Sequence, residues 1–389
     1  MTACIIGWAH TRFGKLDEHD LESLITQVAR EALEDAGVAA ADVDAVYLGV
    51  FNAGLSRQDF PSSLVLQAAE DLRFKPVTRV ENACATGSAA VHQAANFLEA
   101  RKGRIALVVG AEKMTALPTN DVGNILLRAS YVKEEENVDG GFAGIFGQIT
   151  NAYFQRYGDQ SDALASLAVK AHRNALANPL AHMHKELAFD FCRNPSDKNP
   201  FVAGPLKRSD CSLVSDGAAA LVIADLDTAL AMKKAVALRA LAHVNDFLPM
   251  SRRDMSFLEG TEKAWQQAFG QSRLTVDDLN LVETHDCFTI AELMEYEAMG
   301  LTPRGEGRIA VEEGWTRMDG RLPVNPSGGL KAKGHPIGAT GVSMHAMAAM
   351  QVSGKAPGGT QVPGATIAGV FNMGGSAVAH YASILEVIR

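Results

Sequence analysis

Apolar and polar positions along the chain fall into two alternating rhythms. Leu21, Leu24, Ile25, Val28, Ala32 and Leu33 recur at helical spacing and stop before Gly37, which predicts an amphipathic helix closed by a left-handed cap. The preceding ACIIGWA reads as a strand, and the following ADVDAVYLGVF as a turn and a strand. A strand near residues 77–80 comes next, then a turn at Cys84. A helix with Val91, Ala94, Ala95 and Leu98 on one face follows, and then a buried strand in RIALVVG. Strands alternating with helices predict an α/β layered fold.

The same order returns further on. VALRALAHV reads as a strand, TEKAWQQAFGQS as a helix, and VDDLNLVETHD echoes AADVDAVYLGV. ATGSAAVHQAA (85–95) is echoed by ATGVSMHAMAA (339–349), and each precedes a buried strand. This order predicts a duplicated α/β unit, with halves at 1–230 and 231–389 whose equivalent loops face each other. Between about 113 and 209 the pattern turns irregular, which predicts an insertion in the first half that carries binding surface.

Composition narrows the classes. With 47% hydrophobic and 21% charged residues the chain reads as globular, and no apolar run approaches the roughly 20 residues of a membrane helix. The N-terminal MTACIIGWAHTRFGK lacks a signal-peptide pattern and EVIR matches no targeting address, so a cytoplasmic location with no membrane partner is expected. A net charge of −9 argues against a nucleic-acid partner while leaving room for a small anion on a local basic patch. Cys4, Cys84, Cys192, Cys211 and Cys287 are odd in number and never form CxxC, so neither a disulfide framework nor a zinc site is expected.

Four stretches carry candidate chemistry. In ENACATGSAA, Cys84 lies where a strand becomes a helix. Free N–H groups and the helix dipole there would stabilise a thiolate, and small neighbours leave room for a bulky substrate. Either a nucleophile or a packed cysteine in a tight turn fits that stretch alone. VETHDCFTIAE puts His285, Asp286 and Cys287 at a strand end, where residues two apart point the same way. His285 there is either a packed structural histidine or part of a site. NPSGGLKAKGHPIGATG (325–341) is a glycine-rich loop running into a helix near Thr340, with His335 held between Gly334 and Pro336. It lacks the nucleotide-loop pattern, and a glycine turn with an incidental histidine is its plainest reading. VFNMGGSAV ends a strand at Asn372–Gly375, where Gly374 would bring a backbone N–H near a substrate oxygen. HMH (182–184) is too small a motif for a metal site.

Taken together, NACATGSAA, GAEKM, SDGAAALVIAD, HDCF, GGLKAKGHPIGATG and the glycine-rich last strands resemble the thiolase family, specifically its sterol-carrier-protein-2 type, over essentially the whole chain. The resemblance implies a thiolase fold: two βαβ-rich halves in five layers, αβαβα, with an inserted loop domain. It also implies an acyltransferase of lipid metabolism or fatty-acid β-oxidation that cleaves 3-ketoacyl-CoA by thiolysis or runs the reverse Claisen condensation of acyl-CoA with acetyl-CoA. Cys84 matches the acylated nucleophile and His335 the histidine that activates it. His285 matches the oxyanion-hole residue for the enolate, and the N–H groups of Cys84 and Gly374 match a second oxyanion hole. Where many thiolases carry an acid/base cysteine in CxG, this chain has Asn372, and Cys287 of HDCF matches the relocated thiol. Lys207 and Arg208 are candidates for the phosphates of coenzyme A and Ser212 for its pantetheine arm; as a loop, the two cations read equally as solvated. The resemblance further implies acyl-CoA, acetyl-CoA and CoA as ligands, no metal or other cofactor, and a homodimer or homotetramer. Two other readings remain: a thiolase-like condensing enzyme with a non-CoA acceptor, and a non-catalytic acyl-CoA-binding subunit.

Overall fold

The computed structural model describes residues 2–389. Nine strands form one mixed sheet. In chain order they are β1 (Ala3–His10), β2 (Ala45–Gly49), β3 (Val77–Val80), β4 (Ile105–Glu112), β5 (Gly217–Asp225), β6 (Val236–Asn245), β7 (Leu281–Glu283), β8 (Ile367–Gly374) and β9 (Ala379–Val387). Their spatial order is β3-β2-β4-β5-β1-β6-β9-β8-β7. Within the sheet the two halves join where Cys4 and Ile5 of β1 pair antiparallel with Ala237 and Val236 of β6. On either side of that junction the first half contributes five strands and the second four, in corresponding order.

Helices complete the layers. α1 (Leu21–Ala36) covers β1, β4 and β5 from outside, capped by Asp20 at its start and by Gly37 at φ 67 at its end. α2 (Thr86–Glu99) packs on β2 and β4. In the inserted stretch lie α3 (Phe142–Tyr157) and α4 (Ser161–Leu176). α5 (Glu259–Ser272) covers β6 and β9, α6 (Thr289–Ala298) follows the His285–Cys287 turn, and α7 (Ile337–Val352) touches strands of both halves. Hence α1, the first half-sheet, α2 with α7, the second half-sheet and α5 form five layers, the α/β architecture implied by the resemblance.

The central layer depends on two glycines. α2 and α7 are the duplicated helices, and they approach until a Cβ on Gly87 would lie 2.6 Å from the backbone nitrogen of Val342. A Cβ on Gly341 would lie 2.1 Å from the nitrogen of Ser88. Backbone cannot rotate aside as a side chain can, so Gly87→Ala is expected to cost about 3 kcal/mol or more, read as a lower thermal midpoint. An unchanged midpoint would show that the crossing has slack.

Two expectations change. The stretch 113–209 is largely helical, with Thr119–Leu127 preceding α3 and α4 and a short hairpin (Phe201–Ala203 with Leu206–Lys207) closing it. Gly144, Gly147 and the β-branched Ile149 and Thr150 lower helix propensity in α3, yet burial of Phe142, Ile145, Phe146, Ile149 and Tyr153 against the main core holds it helical. The second change is the start of α7 at Ile337, three residues before Thr340. Gly338 and Gly341 hide that beginning from a propensity count.

Candidate active site

Each candidate side chain stands on a constrained turn. Between β3 and α2, Ala83 takes φ 49, a left-handed conformation that a non-glycine residue adopts only when its surroundings enforce it. Those surroundings are the Asn82 N–H on the Thr86 hydroxyl (2.9 Å), the Ala83 N–H on Glu81 (2.5 Å), and the Asn82 amide on the Tyr381 hydroxyl (2.8 Å). The turn presents Cys84 at the head of α2, 7% exposed. A Cβ on Gly374 would lie 2.3 Å from the Asn82 carbonyl oxygen, so β8 ends against this turn. Backbone N–H groups of Gly375 and of Cys84 itself favour the Cys84 thiolate.

His285 and Cys287 lie beyond the strand and outside its alternation. β7 ends at Glu283, and a tight turn with the Asp286 N–H on the Thr284 carbonyl (3.1 Å) carries them inward. Asp286 points away and accepts the N–H groups of Leu330 (2.6 Å) and Lys331 (3.3 Å). It thereby ties this turn to the loop bearing His335. Nitrogen atoms of His285 and His335 and the sulfur of Cys84 all lie within 4.8 Å of one another. Burial and then charge on Cys84 hold the Cys287 thiol well above its usual range.

Hydrogen bonds fix opposite tautomers on the two histidines. The Thr340 hydroxyl donates to the Pro336 carbonyl (2.9 Å), so toward His335 Nδ1 (2.7 Å) it accepts. His335 therefore carries its proton on Nδ1 and leaves Nε2 as a base. Asn372 does the reverse for His285. Its amide nitrogen faces the Cys84 carbonyl (3.2 Å), which only accepts, while its oxygen takes the Ser88 hydroxyl (2.9 Å). That orientation makes the amide donate to His285 Nδ1 (2.8 Å), so the proton of His285 sits on Nε2 as a donor. The pocket holds one base and one hydrogen-bond donor from the same residue type.

The surroundings of Cys84 raise its thiol where the helix start was expected to lower it. Burial pushes the Cys84 thiol up to about 12, with Glu81 and Glu112 adding to the rise against the Gly375 N–H. Burial outweighs the helix start. It also pushes Cys211 up to about 12, so acidity does not distinguish Cys84. Proximity to two histidines does. His335 is lowered to about 3 by burial and then Lys333, and His285 well below its usual range by burial and then His335, so both are neutral at pH 7. With a raised pKa the thiolate fraction is small at neutrality and grows about tenfold per pH unit. Alkylation of substrate-free Cys84 by iodoacetamide should therefore climb steadily from pH 7 to 10, followed by mass spectrometry. A plateau below pH 8 would contradict this.

Sequence patterns gave no sign of the pocket walls. Phe51, Leu55, Met114, Val122 and Ile337 form an apolar cluster with Cys84. Buried Glu112 accepts the N–H groups of Phe51 (2.9 Å), Asn52 (3.0 Å) and Gly338 (3.0 Å), and Asp216 accepts those of Met114 (2.7 Å) and Thr115 (2.8 Å). Two buried acids thus hold three loops around the thiol. Their only sequence signal is an acid beside an apolar strand.

The proposed coenzyme contacts fare unequally. Lys207 is buried and its ammonium pairs with Asp210 at 2.8 Å, so it does not face a ligand phosphate. A cation on a loop was the expectation; the short hairpin folds it inward. Arg208 remains exposed. Ser212 donates its backbone N–H to the Cys287 carbonyl (2.9 Å), which brings it beside the site.

A duplicated five-layer α/β fold around a buried cysteine flanked by two histidines has the equipment for covalent acyl transfer. The N-terminal domain model of thiolase matches residues 3–190 and the thiolase C-terminal domain-like model matches 242–387. An acetyl-CoA acetyltransferase of Methanothermobacter thermautotrophicus is 37% identical over 96% of both chains. Human sterol carrier protein 2 is 30% identical over 95% of this chain and 69% of its own length. Among solved structures the Ltp2-ChsH2(DUF35) aldolase superposes with a TM-score of 0.85 at 22% identity, covering 100% of this chain and 98% of its own. The chain belongs to the thiolase family. It is an acyltransferase of the acetyl-CoA acetyltransferase type, with relatives of the sterol-carrier-protein-2 type.

Proposed function

We propose that the protein is a CoA-dependent thiolase that cleaves 3-ketoacyl-CoA, or condenses acyl-CoA with acetyl-CoA, through an acyl group on Cys84. In thiolysis His335 Nε2 takes the Cys84 proton as the sulfur attacks the 3-keto carbon, and the Cys84 and Gly374–Gly375 N–H groups face the developing oxyanion. The bond to carbon 2 breaks, leaving an acetyl-CoA enolate whose oxygen receives the Nε2–H of His285. Cys287 delivers a proton to that carbon. CoA thiol then gives its proton to the Cys287 thiolate and attacks acyl-Cys84, releasing the shortened acyl-CoA as the Cys84 sulfur takes back the proton held on His335. The paired tautomers carry this reading, since the two half-reactions require one base and one donor held side by side.

Ser212 beside Cys287 supports a pantetheine arm entering along the inserted stretch, with Arg208 outside it. The open edge at β3 and the exposed Phe74 support a homodimer. Free thiols at all five cysteines support a reducing, cytoplasmic setting, and among the described residues no helix is long and apolar enough to cross a membrane. A panel of 3-ketoacyl-CoAs of increasing and branched chain length, assayed for CoA-dependent cleavage, tests the reaction and its role in lipid degradation. Self-acylation without thiolysis of any of them would instead indicate a non-CoA acceptor.

A further inference from the structure

A second cleft, of about 470 Å3, opens between α4 and residues 311–319, and shares no lining residue with the catalytic pocket. Its walls are apolar where Leu167, Val311, Met318 and the half-exposed Phe189 face it. Three cations line it, Lys170, Arg173 and Arg317, against one acid, Asp319. Among the described residues neither guanidinium is in an ion pair, although Arg193, Arg308 and Arg321 are paired with Asp162, Glu312 and Asp277. The volume suits a small ligand, and clefts that combine apolar walls with a few convergent charges are built for amphipathic ones. Two forked guanidiniums select a carboxylate or phosphate headgroup, and the apolar walls ask for a tail.

The floor of this cleft is wired to the catalytic turn. Lys170 is buried; its ammonium bonds Glu292 and the Tyr296 hydroxyl (2.8 Å), which in turn donates to Glu292 (2.7 Å). Glu292 stands on α6, the helix that begins at Thr289 just after the His285–Cys287 turn, and Asp286 in that turn anchors the loop of His335. An anion that draws on Lys170 competes with Glu292 for the same ammonium. Its influence then reaches the catalytic turn without entering the acyl pocket.

We infer that this cleft is a binding site for a small aliphatic carboxylate, its headgroup on Arg173 and Arg317 above Lys170 and its chain against Leu167, Val311 and Met318. Occupancy lowers turnover through Lys170 and Glu292, a regulation that rests on the thiolase reading, whereas binding itself does not. No covalent step is involved.

Isothermal titration of the whole protein with octanoate, and separately with inorganic phosphate, tests it. One octanoate per chain is expected, with phosphate at least tenfold weaker because it has no tail. Arg173→Ala combined with Arg317→Ala should weaken octanoate at least tenfold and leave ligand-free thiolysis unchanged, both residues being exposed and absent from the apolar cluster around Cys84. In the native protein octanoate should lower kcat and leave KM for 3-ketoacyl-CoA in place. Equal affinity for phosphate, octanoate binding untouched by the double variant, or a rise in KM alone would each overturn the site, the last by locating the carboxylate in the acyl pocket. Octanoate binding without any thiolysis would leave the site standing and refute the reaction.

Discussion

Cys84→Ser keeps its fold and loses thiolysis by about 10,000-fold or more, the loss typical when the nucleophile of a covalent mechanism is removed. Serine fits the same space with a shorter bond, and His335 Nε2 can accept its hydroxyl proton, so no buried polar group is orphaned. The thermal midpoint is expected to stay close to that of the native protein. Incubation with acetyl-CoA should add one acetyl group to the native chain at Cys84 and none to the variant, read by peptide mass spectrometry. Because the resting thiol is not ionised, acylation requires His335, and His335→Ala should slow it by 100-fold or more. Turnover surviving in Cys84→Ser, or an acetyl group on Cys192 or Cys211, would remove Cys84 from the role of nucleophile.

Cys287→Ala separates acylation from carbon acid–base chemistry. Cys84 is still acetylated, while exchange of acetyl-CoA methyl protons with deuterated water falls by about 1,000-fold, within the range general acid–base groups supply. Asn372 stands where many thiolases carry this thiol, and an amide cannot take a proton from carbon. Its hydrogen bonds give it another task, that of holding His285 with its proton on Nε2. Asn372→Ala should therefore slow exchange about tenfold through a looser donor, without abolishing it. Proton NMR of acetyl-CoA in deuterated buffer measures both. Exchange that persists in Cys287→Ala and vanishes in Asn372→Ala would place the acid/base on β8.

How legible the molecule was depends on the range of the interaction concerned. The helix at 21–36, the strand at 105–112 and the helix at 86–99 follow from local periodicity, and each forms where the pattern puts it. β5 and β9 were less legible. GAAALVIAD is alanine-rich and shows no alternation because β5 is buried on both faces. Irregularity was overread in 113–209, where tertiary burial overrides the weak helix propensity of α3.

The sequence by itself determined the duplication, the α/β class and the residues that carry chemistry: Cys84, His285, Cys287 and His335 are conspicuous because each stands in a run of small or turn-forming neighbours. Only the tertiary structure decided what those residues are. It brought sulfur and two imidazoles from three distant loops within 4.8 Å, raised the thiol instead of lowering it, and assigned opposite tautomers through Asn372 and Thr340. It also turned Lys207 inward onto Asp210. Periodicity reports which face of an element is buried. Ionisation and proton position depend on desolvation and on hydrogen-bond partners up to 288 residues away in sequence, and no local pattern encodes either.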